Sequence, residues 1–199
     1  MPVFSIFGAI CNKKYHNNNM ILLVGASASG KTEVAKMLMK KYGIVKAITH
    51  TTREKRLGEK NAVDYFFVSK EEFLKMKGND MFVETTVYNN NFYGTSKAEI
   101  NDGKVVVVDA SGLKAFNDFG SSRVVTFLLE AKESTRRHRM QGRGDPEEKI
   151  KERLKNDRVS FNKEKIDKTD FVIDTDDDSI EDITDDVYKK YIDTLKKRK

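Results

Sequence analysis

Gly25-Ala-Ser-Ala-Ser-Gly30-Lys31-Thr32 has the spacing G-x-x-x-x-G-K-[ST] and separates two segments of different pattern. Residues 20–24 before it form a short apolar run of strand length. Residues 33–41 after it show helical spacing, with one face formed by Val34, Met37, Leu38 and Lys41. A glycine-rich turn between strand and helix directs several backbone N–H groups into one concavity at the positive end of the helix. The stretch therefore predicts a phosphate-binding loop, or P-loop.

The loop predicts which groups hold a nucleotide. We expect the Lys31 ammonium to reach the β- and γ-phosphates and the Thr32 hydroxyl to ligate Mg²⁺. The alternative is a turn of small residues that only packs a helix on a sheet, and the correct pattern on both flanks favours phosphate binding. The predicted nucleotide-binding residues are Gly25, Ala26, Ser27, Ala28, Ser29, Gly30, Lys31 and Thr32.

Composition sets the broad class. The 199 residues, 38% hydrophobic and 34% charged, suffice for one well-cored domain. No apolar run approaches the roughly 20 residues that cross a bilayer, and the apolar residues 3–10 have no preceding basic residue, so we expect no signal peptide and no membrane partner. The single cysteine, Cys11, cannot form a disulfide within the chain, which suits a reducing compartment. The sequence therefore predicts a cytoplasmic protein.

The net charge of +6 does not by itself indicate nucleic acid. The positive charge is dispersed, residues 174–186 are acidic, and no basic stripe carries interleaved aromatic residues. We expect no nucleic-acid partner, and the sequence leaves the oligomeric state open.

Strand and helix patterns alternate through most of the chain. Residues 104–108 and 124–129 are continuous apolar runs, typical of strands buried on both faces. Residues 133–141 and 147–161 read as charged helices, and residues 171–175 as a short strand. The alternation predicts one three-layer α/β domain around a mostly parallel sheet.

Two polar signals complete this core. Asp109 follows the 104–108 run, at the sheet edge where open α/β folds place ligands. Ser179 is expected to cap the last helix, with Asp182 at the third helical position.

Residues 45–100 differ from the core on either side of them. They contain strand-like pieces at 65–68 and 81–85 and a helix at 70–77, for which Ser69 and Glu72 form a capping box. An inserted β-rich segment of this kind predicts a small substrate-binding lobe. The predicted organisation is an extension at 1–19 of unknown role and a domain at 20–199, with its core at 20–44 and 101–199.

A longer pattern within the lobe identifies a family. Thr51-Thr-Arg-Glu-Lys-Arg-Leu-Gly-Glu59 precedes Asp64-Tyr65, Phe82-Val-Glu84 and Asn91-Phe-Tyr-Gly-Thr95, and Gly142-Arg-Gly144 and Arg153-Leu154 follow. This order resembles the guanylate kinase family over nearly the whole chain from Met20, and its first segment is more specific than the P-loop. The resemblance implies phosphorylation of GMP or dGMP with ATP and Mg²⁺. It also implies a P-loop NTPase core, a mobile GMP-binding lobe at about 45–100 and a mobile helical lid at about 138–155.

The resemblance also assigns roles to residues. Arg53 and Arg56 match the arginines that grip the GMP phosphate, to which the hydroxyls of Tyr65 and Tyr93 donate. Glu84 falls at the family's guanine-recognition position. A carboxylate suits this position, because it can accept hydrogen bonds from the N1–H and 2-amino groups of guanine. The remaining substrate-binding positions are Thr49, Glu59, Gly94, Thr95 and Asp109. The catalytic set is Lys31 with the lid arginines, which neutralise charge in the transition state: Arg139, Arg143 and Arg153.

The chain departs from the family pattern at several positions. The family usually shows D-x-D-x-x-G, and alignment on Gly112 makes Asp109 the second Asp and puts Val107 at the first. A shifted alignment makes Asp109 the first Asp and leaves Ser111 at the second, so one carboxylate is missing either way. The lid turn at 144–147 is one residue short, and Asp174 stands where the family commonly has Asn near the adenine.

Three functions remain open from the sequence. The first is a kinase for GMP or dGMP. The second is a catalytically silent guanylate-kinase-like module that binds proteins; such modules tend to lose the P-loop lysine, which this chain keeps as Lys31. The third is a deoxynucleoside monophosphate kinase with a shifted base preference, which the missing carboxylate keeps open.

Overall fold

A computed structural model describes residues 19–55, 58–88, 90–100, 103–120, 124–162, 164 and 166–198. Almost all of the predicted extension at 1–19 and the predicted phosphate contact Arg56 lie outside the described residues. The strands are β1 Met20–Val24, β2 Val45–Lys46, β3 His50–Thr51, β4 Phe66–Phe67, β5 Phe82–Tyr88, β6 Asn91–Ser96, β7 Lys104–Val108, β8 Val124–Glu130 and β9 Phe171–Asp174. The α-helices are α1 Lys31–Tyr42, α2 Lys70–Gly78, α3 Ala110–Phe119, α4 Glu133–Gly142, α5 Glu147–Ser160 and α6 Ile180–Lys197.

Five strands form a parallel sheet in the order β2-β7-β1-β8-β9. Successive side chains of β1 point to opposite faces. Ile21 and Leu23 join a core with residues of α1 and α6, whereas Met20, Leu22 and Val24 join a second core with residues of α3. Helices therefore cover both faces of the sheet, and the predicted three-layer α/β fold is confirmed.

Local signals correctly predicted the N-terminal caps of two helices. Ser69 accepts from the Glu72 N–H while the Glu72 carboxylate accepts from the Ser69 N–H, which is the predicted capping box of α2. The Ser179 side chain accepts from the Asp182 N–H at the start of α6. The predicted helix after the loop is present, with Val34 and Leu38 buried, while Lys41 at its end is exposed and its ammonium lies 2.6 Å from the Asp185 carboxylate.

A second sheet lies in the inserted segment, with the order β4-β3-β6-β5. β3 and β6 pair antiparallel, as do β5 and β6, and α2 contributes the fully buried Phe73, whose ring stacks on those of Phe82 and Phe92. The sequence predicted parts of β4 and β5 here and missed β3 and β6. The parallel sheet also extends beyond the predicted core segment 20–44, because β2 pairs with β7.

The parallel register positions the site. All five strands of the first sheet run in one direction, so their carboxyl ends meet at one edge. The P-loop follows β1 at that edge, Asp109 follows β7, and Thr175 follows β9. None of the helices within the described ranges combines the length and the apolar character that a membrane span requires.

Candidate nucleotide site

The P-loop is held against β8 by a close approach at its first residue. A Cβ atom on Gly25 would lie 2.4 Å from the Leu129 carbonyl oxygen and 2.6 Å from Ser29 Oγ. Gly30 caps α1 with a φ of 93°, in the left-handed region that favours glycine. Ala28 also has a positive φ, 61°, a conformation that costs an alanine about 1–2 kcal/mol. The two glycines of the motif thus stand where the loop turns most tightly.

Lys31 lies folded against this loop. Its ammonium donates to the carbonyl oxygens of Gly25 at 2.6 Å and Ala26 at 2.8 Å. Burial lowers the pKa of Lys31 to about 8, and the Asp157 carboxylate opposes that shift. Lys31 is the first residue of α1, where the N–H groups have no intrahelical acceptor, so cationic and dipolar groups converge at one point. The charge and the free N–H groups at this point suit a polyphosphate.

The Thr32 side chain is exposed in the first turn of α1, at the mouth of the loop. Across the described part of the chain, no group of three or more His, Cys, Asp or Glu side chains is arranged to hold a metal ion. Mg²⁺ keeps several waters and usually takes only one or two protein ligands together with substrate phosphates. A single hydroxyl beside a phosphate site therefore fits Mg²⁺ bound with its nucleotide.

A cavity of about 330 Å³ joins the P-loop to the second sheet. It brings together residues predicted from three separate segments of the sequence. Its lining includes Gly25, Ser27 and Lys31 with the predicted substrate residues Thr49, Tyr65, Glu84, Tyr93, Gly94 and Asp109.

At one end of this cavity, Glu84 is paired with a buried hydroxyl. Thr95 Oγ1 donates to Glu84 Oε1 at 2.7 Å, and Thr95 is fully buried. Burial raises the pKa of the Glu84 carboxyl, and hydrogen bonds from Thr95 oppose the shift. A Cβ on Gly94 would lie 3.0 Å from the Glu84 carbonyl oxygen, so a small residue lets β6 pass close to β5. The pairing fixes a carboxylate in a partly dry environment.

An aromatic group supports the neighbouring cation. The Arg53 guanidinium pairs with Glu59 at 2.7 Å and lies over the Tyr65 ring, 5.4 Å from its centroid. The Tyr65 and Tyr93 rings meet edge to face with centroids 6.2 Å apart. Arg53 is therefore oriented by a carboxylate and a ring, beside the two phenols that line the cavity.

Asp109 serves the fold as well as the cavity. It caps α3, and its Oδ1 accepts from the Gly112 N–H at 2.9 Å and from Ser111 Oγ at 2.7 Å. Val107 lines the same cavity as Asp109, two residues earlier, whereas Ser111 lines an adjoining cavity of about 610 Å³. A Cβ on Gly112 would lie 2.7 Å from Val108 Cβ, so glycine lets α3 pack on β7.

The three predicted lid arginines are not gathered in the 330 Å³ cavity among the described residues. Arg139 donates to the carbonyl oxygens of Thr175 and, at 3.3 Å, of Ala28, which places it against the P-loop. Arg143 and Arg153 both pair with the Asp145 carboxylate, at 2.8 and 2.9 Å. One carboxylate in the turn between α4 and α5 thus holds two of the three guanidinium groups.

Sequence reasoning missed three polar residues at this edge. Thr175, rather than Asp174, contacts the P-loop, and its hydroxyl donates to the Ser29 carbonyl oxygen at 3.1 Å. Arg136 and Asp157 are buried and paired at 2.6 Å, although both helices that carry them read as charged and solvated. A signal existed for Asp157, because it follows the apolar Ile150 and Leu154 at positions i+7 and i+3 of one helix face.

Comparisons with known proteins agree with this geometry. The sequence model of the guanylate kinase family matches residues 17–194. A guanylate kinase of Fusobacterium nucleatum is 35% identical over 145 residues, which cover 69% of this chain and 78% of that protein. A guanylate kinase of Schizosaccharomyces pombe is 33% identical over 150 residues, covering 71% and 74% of the two chains. The crystal structure of guanylate kinase from Anaplasma phagocytophilum shares the fold, with a TM-score of 0.63 at 24% identity over 89% of this chain and 85% of that one.

Proposed function

The chain belongs to the guanylate kinase family, and we propose that it transfers the γ-phosphoryl group of ATP to GMP or dGMP. The single observation that carries this proposal is the cavity shared by Lys31 and Glu84. Lys31 suits the phosphates of one nucleotide and Glu84 the base of another, so both substrates can meet in this cavity. The products are ADP and GDP or dGDP.

The Glu84 end fits guanine. Guanine carries N1–H and 2-amino donors side by side, and the ionised carboxylate of Glu84 accepts both. Thr95 already donates to one of its oxygens and holds it in place. A site built on such hydrogen bonds discriminates strongly, because adenine would leave a buried acceptor unpaired. Glu84 is therefore assigned to base selection.

The other substrate groups follow from this orientation. With guanine at Glu84, the GMP phosphate lies toward Arg53, Tyr65 and Tyr93, whose donors suit a dianionic phosphate. Arg56, three residues after Arg53 in the sequence, is assigned to the same phosphate by the family resemblance. Glu59 is assigned to orienting Arg53, with which it pairs.

ATP binds with its phosphates on residues 25–32. Lys31 and the N–H groups at the start of α1 neutralise the β- and γ-phosphates, and Thr32 is the protein ligand assigned to Mg²⁺. When bound there, Mg²⁺ would offset the negative charge of the phosphates. Arg139 lies close to the loop, while Arg143 and Arg153 must leave Asp145 to reach the transferring group.

The reaction needs no protein nucleophile. A phosphate oxygen of GMP attacks the γ-phosphorus in line, its new P–O bond forms, and the bond from that phosphorus to the β–γ bridging oxygen breaks. Positioning accounts for much of the acceleration, and Lys31 with the three lid arginines stabilises charge as it moves to the bridging oxygen. Closure of the lid excludes water, which would otherwise compete as the acceptor.

One observation favours a second candidate function. Val107 lines the cavity at the position where alignment on Gly112 places a family carboxylate. An apolar side chain there removes one acceptor near the purine. A deoxynucleoside monophosphate kinase with a different base preference would fit this change.

A coupled ADP-release assay tests these functions. Wild type, Lys31→Ala and Glu84→Ala are supplied with MgATP and GMP, dGMP, AMP, UMP, CMP or dTMP. Turnover of GMP or dGMP that is lost in Lys31→Ala supports the proposal. Turnover with another base instead supports the second candidate and makes Val107→Asp the next variant. Folded protein that binds GMP without turnover would indicate a silent binding module.

A further inference from the structure

A buried ion pair connects both lid helices to the P-loop. Arg136 of α4 and Asp157 of α5 lie 2.6 Å apart, and each residue is at least nine-tenths buried. Asp157 also accepts from the Ser27 N–H at 3.0 Å and from Ser27 Oγ at 3.2 Å. Arg136 donates to the Ser27 carbonyl oxygen at 3.3 Å. We call Arg136 and Asp157 the Ser27 clasp.

The clasp holds the two peptide units on either side of the Ser27 Cα atom. The N–H of Ser27 points to the carboxylate and its C=O accepts from the guanidinium, so Ser27 cannot rotate without breaking charge-assisted hydrogen bonds. Ser27 adjoins Ala26, whose carbonyl oxygen accepts from Lys31. The clasp therefore determines the shape of the part of the loop against which Lys31 is held.

Asp157 of the clasp lines three of the cavities in the described part of the chain. Asp157 lines the cavity of about 330 Å³ with Lys31 and Glu84, the adjoining cavity of about 610 Å³, and a third of about 360 Å³ beside β8. A carboxylate at this junction faces the region where the phosphates of both substrates would meet. A residue that only joined two helices would have no reason to be there.

Buried ion pairs are seldom retained for stability. Removing two charges from water costs several kcal/mol each, and replacement of such a pair by apolar residues is often neutral or stabilising. An exposed pair, Arg158 with Glu133 at 2.5 Å, already joins the same two helices. The burial of the clasp therefore calls for another explanation than helix packing.

We propose that Arg136 and Asp157 are positioning residues for ATP, which hold the backbone of Ser27 and place a fixed negative charge beside Lys31. This inference rests on the proposed function. The family resemblance leaves the chain one carboxylate short near Asp109, and Asp157 supplies a carboxylate to the same cavity from a different element.

The contacts of the clasp separate a positioning role from a merely structural one. Arg136 and Asp157 hydrogen-bond to Ser27, in the loop assigned to ATP. Loss of the clasp should therefore weaken MgATP binding selectively and leave GMP binding at Glu84 nearly unchanged.

The test compares MgATP and GMP binding by calorimetry at pH 7 in wild type, Asp157→Asn, and the double variant Arg136→Met with Asp157→Asn. We expect roughly ten- to a hundredfold weaker MgATP binding in both variants. GMP affinity should stay within about twofold of wild type. The double variant leaves no unpaired buried charge, so its melting temperature shows whether it folds even where Asp157→Asn does not.

The exposed pair provides the matched control. Arg158→Met with Glu133→Gln breaks the other link between α4 and α5 and should bind MgATP like wild type. A folded double clasp variant with wild-type affinity for MgATP would overturn the proposal, and so would an equal loss of affinity for MgATP and GMP. Tighter MgATP binding in Asp157→Asn would also overturn it, because the carboxylate would then be competing with phosphate for the Ser27 N–H. A wild-type protein that binds MgATP but does not phosphorylate GMP would contradict the proposed function and leave the clasp result intact.

Discussion

The Lys31 ammonium, which we propose binds phosphate, is buried and therefore loses hydration. Its ammonium lies on two carbonyl oxygens inside the loop, and burial lowers its pKa to about 8. The two carbonyl groups keep the ammonium where a phosphate will meet it. The cost is a buried charge that the folded protein must retain.

We predict a basic limit on ATP use set by Lys31. The kcat/KM for MgATP should be level at neutral pH and fall as the pH rises through about 8, because the deprotonated amine no longer attracts phosphate. Lys31→Met should lower kcat/KM by about 10²–10³-fold at pH 7, as loss of a transition-state donor does elsewhere. The melting temperature of Lys31→Met should not fall, because the substitution removes a buried charge that is unfavourable in the folded state. Lys36→Met, on the exposed side of α1, is the control, and equal losses in both variants would contradict the assignment.

Glu84 is a carboxylate whose charged form is also disfavoured by burial, although the proposed function needs that form. Its pKa is raised by burial, so its ionised form, which we propose accepts from guanine, opposes folding. The stability that the protonated form contributes is complete below the unfolded pKa and is lost as the pH rises through the folded pKa. At a pH above the folded pKa, the free energy of unfolding no longer changes with the ionisation of Glu84.

We therefore predict opposite effects of Glu84→Gln on function and on stability. The kcat/KM for GMP should fall by about 10²-fold or more, because an amide cannot accept from two adjacent donors without offering one of its own. The gain in melting temperature over wild type should grow from pH 4 toward neutral pH and then level off. Glu71→Gln, at an exposed position of α2, should show neither effect. A melting difference that does not vary with pH would contradict the raised pKa.

At the scale of elements, the P-loop depends on one close contact with β8. Gly25→Ala would place a methyl group 2.4 Å from the Leu129 carbonyl oxygen, so the loop or the strand must move. We predict a loss of about 1–3 kcal/mol in the free energy of unfolding and at least tenfold weaker MgATP binding, measured by denaturant melts and calorimetry.

Gly78→Ala is the matched substitution for this prediction. It ends α2, nothing lies within 4 Å of its added methyl group, and alanine favours helix by up to about 1 kcal/mol. It should therefore be neutral or stabilising and leave MgATP binding unchanged. If Gly25→Ala also binds MgATP normally, the contact with β8 does not shape the loop.

The elements that the sequence predicted best are those with a local cause. Fully buried runs such as Met20–Val24, and caps such as Ser69 with Glu72, carry their signal within a few residues. β3 and β4 have two residues each, and β6, Asn91–Ser96, has no regular apolar alternation. Those strands exist because they pair across the second sheet, and pairing between distant segments leaves no local pattern.

At the scale of the whole molecule, the candidate site lies where two sheets share a cavity. The P-loop and the motif from Thr51 to Glu59 were recognisable in the sequence, and so was Glu84. The Ser27 clasp was not recognisable in the sequence. Arg136 follows Ser27 by 109 positions and Asp157 follows it by 130, and the contact depends on a buried charge pair. Long-range polar pairs of this kind follow from the fold, and only Asp157 carries even a helical-spacing signal.

We predict that this shared cavity couples the two substrates. In the proposed binding mode GMP contacts the second sheet and ATP contacts the P-loop. Lys31 and Glu84 nevertheless line one cavity, so binding of the first substrate should order part of the site of the second. Melting temperatures are measured with GMP, with the magnesium complex of a non-hydrolysable ATP analogue, and with both. Each ligand at 100 times its dissociation constant should stabilise by about 2.7 kcal/mol.

Together the two ligands should stabilise by more than the sum of their separate effects, with a coupling of about 1–3 kcal/mol. Glu84→Gln should lose the effect of GMP but keep that of the ATP analogue, because only the base contact is removed. Lys31→Met should do the reverse. Simple additivity in wild type would mean that the sheets bind independently, and phosphoryl transfer would then need another explanation for how the reacting groups exclude water. Coupling that survives in Arg143→Met with Arg153→Met would assign it to the cavity itself, since among the described residues both arginines pair with Asp145 and not with residues of that cavity.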